Sequence, residues 1–161
     1  MATQIAVVGA SEATAQAEAT AEAVGTSLAS AGATVICGGL GGVMAGACRG
    51  AKAVGGITVG ILPGRDRRAA NQWVDVVIPT GLGEARNALV VGAAAVVIAV
   101  DGEYGTLSEI ALALRAQIPV IGVATWSLVK PDGDMDSGIV PIGDPHEAAA
   151  AAMRLAAAPL E

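Results

Sequence analysis

Two short glycine-rich segments carry the residues best suited to chemistry. Gly38-Gly39-Leu40-Gly41-Gly42-Val43-Met44 follows one run of valine and isoleucine, and Asp101-Gly102-Glu103-Tyr104-Gly105-Thr106-Leu107-Ser108-Glu109 follows another. Each reads as a strand end opening into a helix. The first N–H groups of a helix lack intrahelical acceptors, and the helix dipole adds partial positive charge there, so such a junction can hold an anion such as phosphate. Two of them in one chain point to a nucleotide-like ligand. Taken alone, the first loop is equally well explained as a tight strand-to-helix connection.

Two charged residues stand out beside these loops. In Thr80-Gly81-Leu82-Gly83-Glu84-Ala85-Arg86-Asn87, Arg86 falls in the first turn of a helix, where the dipole disfavours a cation. Either a bound anion or a salt bridge to a nearby acid would offset that cost. Glu109 also has two readings: Thr106-x-x-Glu109 matches a capping box, and the same carboxylate could face a pocket. With His146 the only histidine, and placed at a surface helix start, serine–histidine and cysteine–histidine hydrolase mechanisms are excluded. Acid–base work would fall to carboxylates, Glu109 first and then Asp101 or Glu103.

Other signatures are absent. Gly9-Ala10-Ser11-Glu12-Ala13-Thr14 lacks the second and third glycines of a dinucleotide fingerprint, and no Gly-Lys-Ser or Gly-Lys-Thr ends a triphosphate loop. NAD-linked redox chemistry and ATP hydrolysis lose ground accordingly. Cys37 and Cys48 have no metal-type spacing, so they read as free, buried thiols in a reducing compartment, and no metal site is expected.

The elements that must position these residues are legible as alternating runs. Strands are expected at Ile5–Val8, Thr34–Cys37, Ile57–Ile61, Val74–Ile78, Val96–Val100 and Pro119–Val123, each rich in valine and isoleucine, as central parallel strands are. Helical stripes lie between them. Ser11 is expected to cap a helix running to Gly32, Met44 to Ala51 give the next stripe before Gly55-Gly56, and Leu107 to Leu114 repeat the spacing. Asp144-Pro145-His146-Glu147 opens a final alanine-rich helix. Trp126 to Gly138 reads as one long polar loop. The alternation predicts one α/β domain over residues 1–161: a doubly wound, mostly parallel, Rossmann-like sheet with helices on both faces. In such sheets ligands bind outside the carboxyl ends of the strands. That edge would gather Gly9 and Ser11, both glycine loops, and the Thr80–Asn87 segment.

Composition narrows the partners. A net charge of −6 opposes non-specific binding to nucleic acid, and three aromatic residues give little base-stacking platform. Trp73 and Trp126 could stack on a base, though packing explains each as well. Arg65-Asp66-Arg67-Arg68 reads as a solvated cluster or an anion-attracting rim. The longest apolar stretch, Ala88–Val100, is too short for a membrane span, and the first residues show no secretory pattern, so a cytoplasmic protein is expected.

From Ile5 to Val123 the order of motifs resembles the LOG-type superfamily, long mislabelled "lysine decarboxylase-like": the first glycine loop, then Ala85-Arg86-Asn87, then Gly105-Thr106-Leu107-Ser108-Glu109. The resemblance implies a Rossmann-like fold and a homo-oligomer, a dimer or tetramer, for which the apolar Leu89–Ala94 stretch offers a surface. It implies catalytic positions at Arg86 and Glu109 and phosphate-binding ones at Gly105 and Thr106. Around these it suggests ligand contacts from Gly9, Ser11, Gly38, Gly39, Gly41, Gly42, Met44, Thr80, Asn87 and Gly102. The superfamily includes phosphoribohydrolases that cleave the N-glycosidic bond of nucleoside 5′-monophosphates and carry Pro-Gly-Gly-x-Gly-Thr-x-x-Glu. Here Val100-Asp101-Gly102-Glu103 replaces the proline and second glycine. The segments Arg49-Gly50-Ala51, Ile61-Leu62-Pro63-Gly64 and Gly83–Asn87 are more similar to the sister branch that includes molybdenum-cofactor carrier proteins. Two functions follow as expectations: binding of a phosphorylated nucleotide-like or pterin ligand, with no required cofactor, or hydrolysis of a nucleoside monophosphate. A subunit whose glycine loops only pack is the third reading.

Overall fold

Seven strands form one parallel sheet in a computed structural model that describes residues 1–158. They are β1 (Gln4–Val8), β2 (Thr34–Cys37), β3 (Thr58–Leu62), β4 (Val76–Pro79), β5 (Val96–Val100), β6 (Val120–Val123) and β7 (Ile139–Pro141). Their order is β4-β3-β2-β1-β5-β6-β7. The chain winds outward from β1 to β4, crosses back to pair β5 with β1, and winds outward again. The crevice between the carboxyl ends of β1 and β5 is therefore the switch point of the sheet, where doubly wound folds take ligands.

Five helices cover the faces: α1 (Ala15–Ser30), α2 (Gly42–Ala53), α3 (Asn87–Gly92), α4 (Tyr104–Arg115) and α5 (Pro145–Ala156). Side chains from α1, α2 and α5 pack with Ile5, Val7, Val35, Val96 and Ile98 on one face. Val90 and Val91 of α3 and Ile110 and Ala113 of α4 pack with Ala6, Val8, Ile36, Val97 and Ala99 on the other. Alternate residues of each central strand feed opposite layers, which is why those strands read as unbroken apolar runs.

The doubly wound sheet stands as expected, with three local differences. Thr14, not Ser11, caps α1, its Oγ1 accepting from the Ala17 N–H at 3.1 Å. That leaves the Gly9–Ala13 segment as a loop at the switch point. α4 begins at Tyr104 behind Glu103, so Thr106 and Glu109 lie inside the helix and form no capping box. The seventh strand was not legible: it is three residues long, lies at the sheet edge and ends in Pro141, too short for a period-2 pattern. At the other end, Asp144 accepts from the Glu147 N–H at 2.8 Å with Pro145 at the first helical position, as the sequence predicts. The last three residues of the expected 1–161 domain lie outside the described ones.

α1 and α2 approach backbone to backbone. A Cβ at Gly50 would overlap the Glu22 carbonyl oxygen, and one at Gly25 the Ala47 carbonyl oxygen. Gly50→Ala is expected to destabilise the protein by about 1–3 kcal/mol through overpacking. Chemical denaturation would show it; a change within about 0.5 kcal/mol, the range of ordinary surface substitutions, contradicts this packing.

Candidate functional site

The carboxyl edge of the sheet opens into a cleft of about 550 Å³ at the switch point. Three segments line it: Gly9-Ala10-Ser11 after β1, Leu40 and Met44 at the start of α2, and Glu103 to Glu109 at the start of α4. A fourth, Glu84-Ala85-Arg86-Asn87, contributes Glu84, Arg86 and Asn87 from the short 3₁₀ turn at Gly83–Arg86 and the first residue of α3. Neither α2 nor α4 carries a side-chain cap, at Gly41 or Glu103, whereas α1 and α5 are capped by their own Thr14 and Asp144.

Arg86 and Glu109 meet at the floor of this cleft. Nη1 of Arg86 lies 3.5 Å from Oε1 of Glu109, and both side chains are 9% exposed. The same Nη1 donates to Oδ1 of Asn87 at 2.8 Å. Gly38 provides the seat for the guanidinium: a Cβ there would stand 2.7 Å from Nη2 and 2.7 Å from the Met44 sulfur. Among the described residues, Nε of Arg86 is buried with no hydrogen-bond partner. An unsatisfied buried donor costs roughly 1–3 kcal/mol, more when charged, so an anion reaching Nε would recover that loss.

Glu109 only partly compensates this cation. Burial pushes its carboxyl up to about 7, against the pull of Arg86, with Glu84 raising it further. Near neutral pH the pair therefore changes by one charge without any change of partner.

The glycines of the first loop serve the frame of the cleft. Val43 N–H donates to the Ala10 carbonyl at 3.0 Å, and a Cβ at Gly42, which has φ +57°, would overlap that same oxygen. Gly39, with its Cα region against Leu62 and Gly60, donates its N–H to Cys37 Sγ at 3.3 Å. Cys37 and Cys48 are free and buried, their sulfurs 3.5 Å apart. The hydrogen bond from Cys48 draws the Cys37 thiol down, and that contact with burial pushes Cys48 up. Among the described residues no group of three or more histidine, cysteine, aspartate or glutamate side chains is arranged to hold a metal ion.

The cleft thus brings together Gly9, Ser11, Met44, Arg86, Asn87, Gly105, Thr106 and Glu109 from the expected set. It does not bring in Thr80, whose hydroxyl donates to the Leu62 carbonyl at 2.7 Å and accepts from the Leu82 N–H, closing the turn after β4. Gly102, at φ +113°, packs under Thr106 rather than lining the space, and Gly39, Gly41 and Gly42 shape the loop from behind. The Arg65–Arg68 cluster is exposed and away from the cleft: Arg68 pairs with Asp66, and Arg67 donates to the Val77 carbonyl on the edge strand. Tyr104 and Ser108 line the cleft without having been singled out; an aromatic residue at a helix start in a chain this poor in aromatics was the available signal.

A Rossmann-like α/β protein with a ligand-sized cleft at its switch point is the class this fold defines. The profile of the SLOG cluster4 family matches residues 2–149, and the chain belongs to that family. Over 112 residues, 70% of this chain and 74% of the relative, it is 45% identical to an uncharacterized protein of Archaeoglobus fulgidus. It is similar to the molybdenum cofactor binding protein of the phototrophic bacterium Rippkaea orientalis, with 33% identity, a TM-score of 0.85 and 96% of each chain covered. The molybdenum cofactor carrier protein of Chlamydomonas reinhardtii matches with 32% identity and a TM-score of 0.83, over 98% of this chain and 100% of that one. The resemblance to LOG-type proteins, and to their carrier branch, therefore stands. Among the described residues no helix is long and apolar enough to cross a membrane.

The raised carboxyl has a measurable consequence. The folded protein keeps a proton on Glu109 up to about pH 7, while the unfolded chain loses it near 4.5. Between those limits the folded state binds more protons, so this group's contribution is fully present below the lower value and is lost as pH rises. At about 1.4 kcal/mol per pH unit the loss is on the order of 3 kcal/mol. Denaturation at pH 5 and 7.5 should show Glu109→Gln gaining stability relative to wild type at the higher pH; a constant difference between the two proteins contradicts the assignment.

Proposed function

We propose that the protein binds a phosphorylated nucleotide-like or pterin ligand in this cleft and holds it without turnover, as a molybdenum-cofactor carrier-like protein. The observation that carries this reading is the buried guanidinium of Arg86, seated on Gly38 with its Nε unpartnered and its neutralising carboxylate only partly ionised near neutral pH. The uncapped start of α4, which lines the cleft, adds amide donors. Ser11, Gly105, Thr106 and Asn87 would complete the contacts to the phosphate end. The names of the two solved relatives support the pterin class. A molybdenum cofactor would here be cargo, and no cofactor is required for binding.

One observation favours a second reading. A buried carboxyl with its proton lost near pH 7 beside an arginine could stabilise charge developing on a ribose, and the protein would then hydrolyse the N-glycosidic bond of a nucleoside 5′-monophosphate. Glu103 at the start of α4, where the hydrolases carry glycine, weighs against it. Self-association is a further proposal. Val90, Val91 and Ala94 of the apolar stretch turn into the core, but Leu89 remains 45% exposed, and Leu82 in the preceding segment is 52% exposed. Light scattering at micromolar concentration should return a dimer or larger; a monomer contradicts it.

Inorganic phosphate and sulfate should raise the melting temperature of the wild type and not that of Arg86→Ala. Sulfate, which does not titrate in this range, should bind more tightly at pH 6 than at pH 8, because a protonated Glu109 leaves the guanidinium uncompensated. AMP incubated with concentrated protein should stay intact. Release of adenine would replace the carrier reading with the hydrolytic one, and absence of any anion-induced shift would remove both.

A further inference from the structure

We propose that the mouth of the cleft is a stacking subsite for the ligand's flat heterocycle, formed by Tyr104 braced on Trp126, with Glu103 accepting hydrogen bonds from the ring's N–H edge. The inference rests on the reading that the inner end of the cleft takes a phosphate. The chain contains one tyrosine, two tryptophans and no phenylalanine. Two of those three rings meet here, their centroids 5.7 Å apart and their planes inclined by 36°. Tyr104 lines the cleft yet is 81% exposed, so it adds nothing to the core.

The platform is fixed from behind. Trp126 packs its partly buried ring against the α3–α4 layer and donates its indole N–H to the Glu103 carbonyl at 3.2 Å. The neighbouring Thr125 hydroxyl donates to the Asp101 carbonyl. These two bonds tie the loop after β6 to the loop after β5. Both loops pass through left-handed backbone at residues that are not glycine, with φ of 49° at Asp101 and 52° at Ala124. Backbone held in that region persists where the surrounding contacts enforce one geometry, and it gathers at ligand sites.

Spacing and charge define the ligand class. Tyr104 and Glu109 are separated along α4 by about 7.5 Å at 1.5 Å per residue, and Glu109 touches Arg86. Both ends line the one cleft, so a ring stacked on Tyr104 and a phosphate at the guanidinium would belong to a single ligand joined by a sugar-sized linker. Glu103 lines the same mouth. An ionised carboxylate only accepts hydrogen bonds, so it matches an edge with two adjacent donors, the ring N–H and 2-amino group shared by guanine and pterin. Adenine presents a donor beside an acceptor and lacks that match.

Calorimetric titration of wild type, Arg86→Ala, Tyr104→Leu and Glu103→Gln with inorganic phosphate, GMP and AMP tests the inference. GMP should bind wild type more tightly than AMP does. Tyr104→Leu should weaken GMP about tenfold, as loss of a stacking aromatic does, with phosphate affinity unchanged. Glu103→Gln should remove most of the preference for GMP over AMP. Unchanged GMP affinity in Tyr104→Leu, or equal affinity of wild type for the two nucleotides, overturns the subsite and leaves the phosphate reading intact. Phosphate that fails to bind wild type, or binds Arg86→Ala equally well, overturns the reading beneath it.

Discussion

A cation buried against a half-ionised acid is the constraint around which this molecule is arranged. Arg86 is almost fully enclosed, and its nearest carboxylate oxygen, on Glu109, lies 3.5 Å away, longer than a close ion pair. Desolvation raises the Glu109 carboxyl toward neutrality, so the guanidinium is least compensated where its own desolvation is greatest. A pair built only for stability would close that distance and satisfy Nε. Both are left incomplete here, which is what the proposed anion-binding role draws on.

The scaffold delivers the pair by topology. Only at the crevice between β1 and β5 do loops from the two halves of a doubly wound sheet diverge, and there the Gly9–Ser11 loop faces the starts of α2 and α4. α1 packs closely on α2 at Gly25 and Gly50, and the bare backbone of Gly38 lets the guanidinium lie on it. The second wall is held differently, by hydrogen bonds that join two strained loops after β5 and β6. One side of the cleft is thus fixed by shape and the other by polar ties.

Much of this was legible in the sequence because the physics is local. Unbroken valine and isoleucine runs marked the central strands, and glycine placements marked the loops. The Asp144-Pro145 start of α5 followed from capping chemistry. Thr106-x-x-Glu109 left two readings open because a capping box and a helix-interior pair share one spacing; α4 starts earlier, at Tyr104, and Glu109 faces the cleft. Ser11 was displaced by Thr14, a second good cap three residues on. β7 was hidden by its length, and Thr80 by a purely local turn role. The burial of Arg86 Nε without a partner and the Tyr104–Trp126 contact both depend on tertiary packing, so no local pattern could announce them.

The most direct test watches the orphaned donor itself. In the ¹⁵N-labelled protein the Nε–H signal of Arg86, identified by its loss in Arg86→Lys, should shift and exchange more slowly with water as inorganic phosphate is added, with saturation. A signal that stays in place while phosphate binds elsewhere, or that shows no saturable change, would contradict the claim that this guanidinium is kept unsatisfied for an incoming anion.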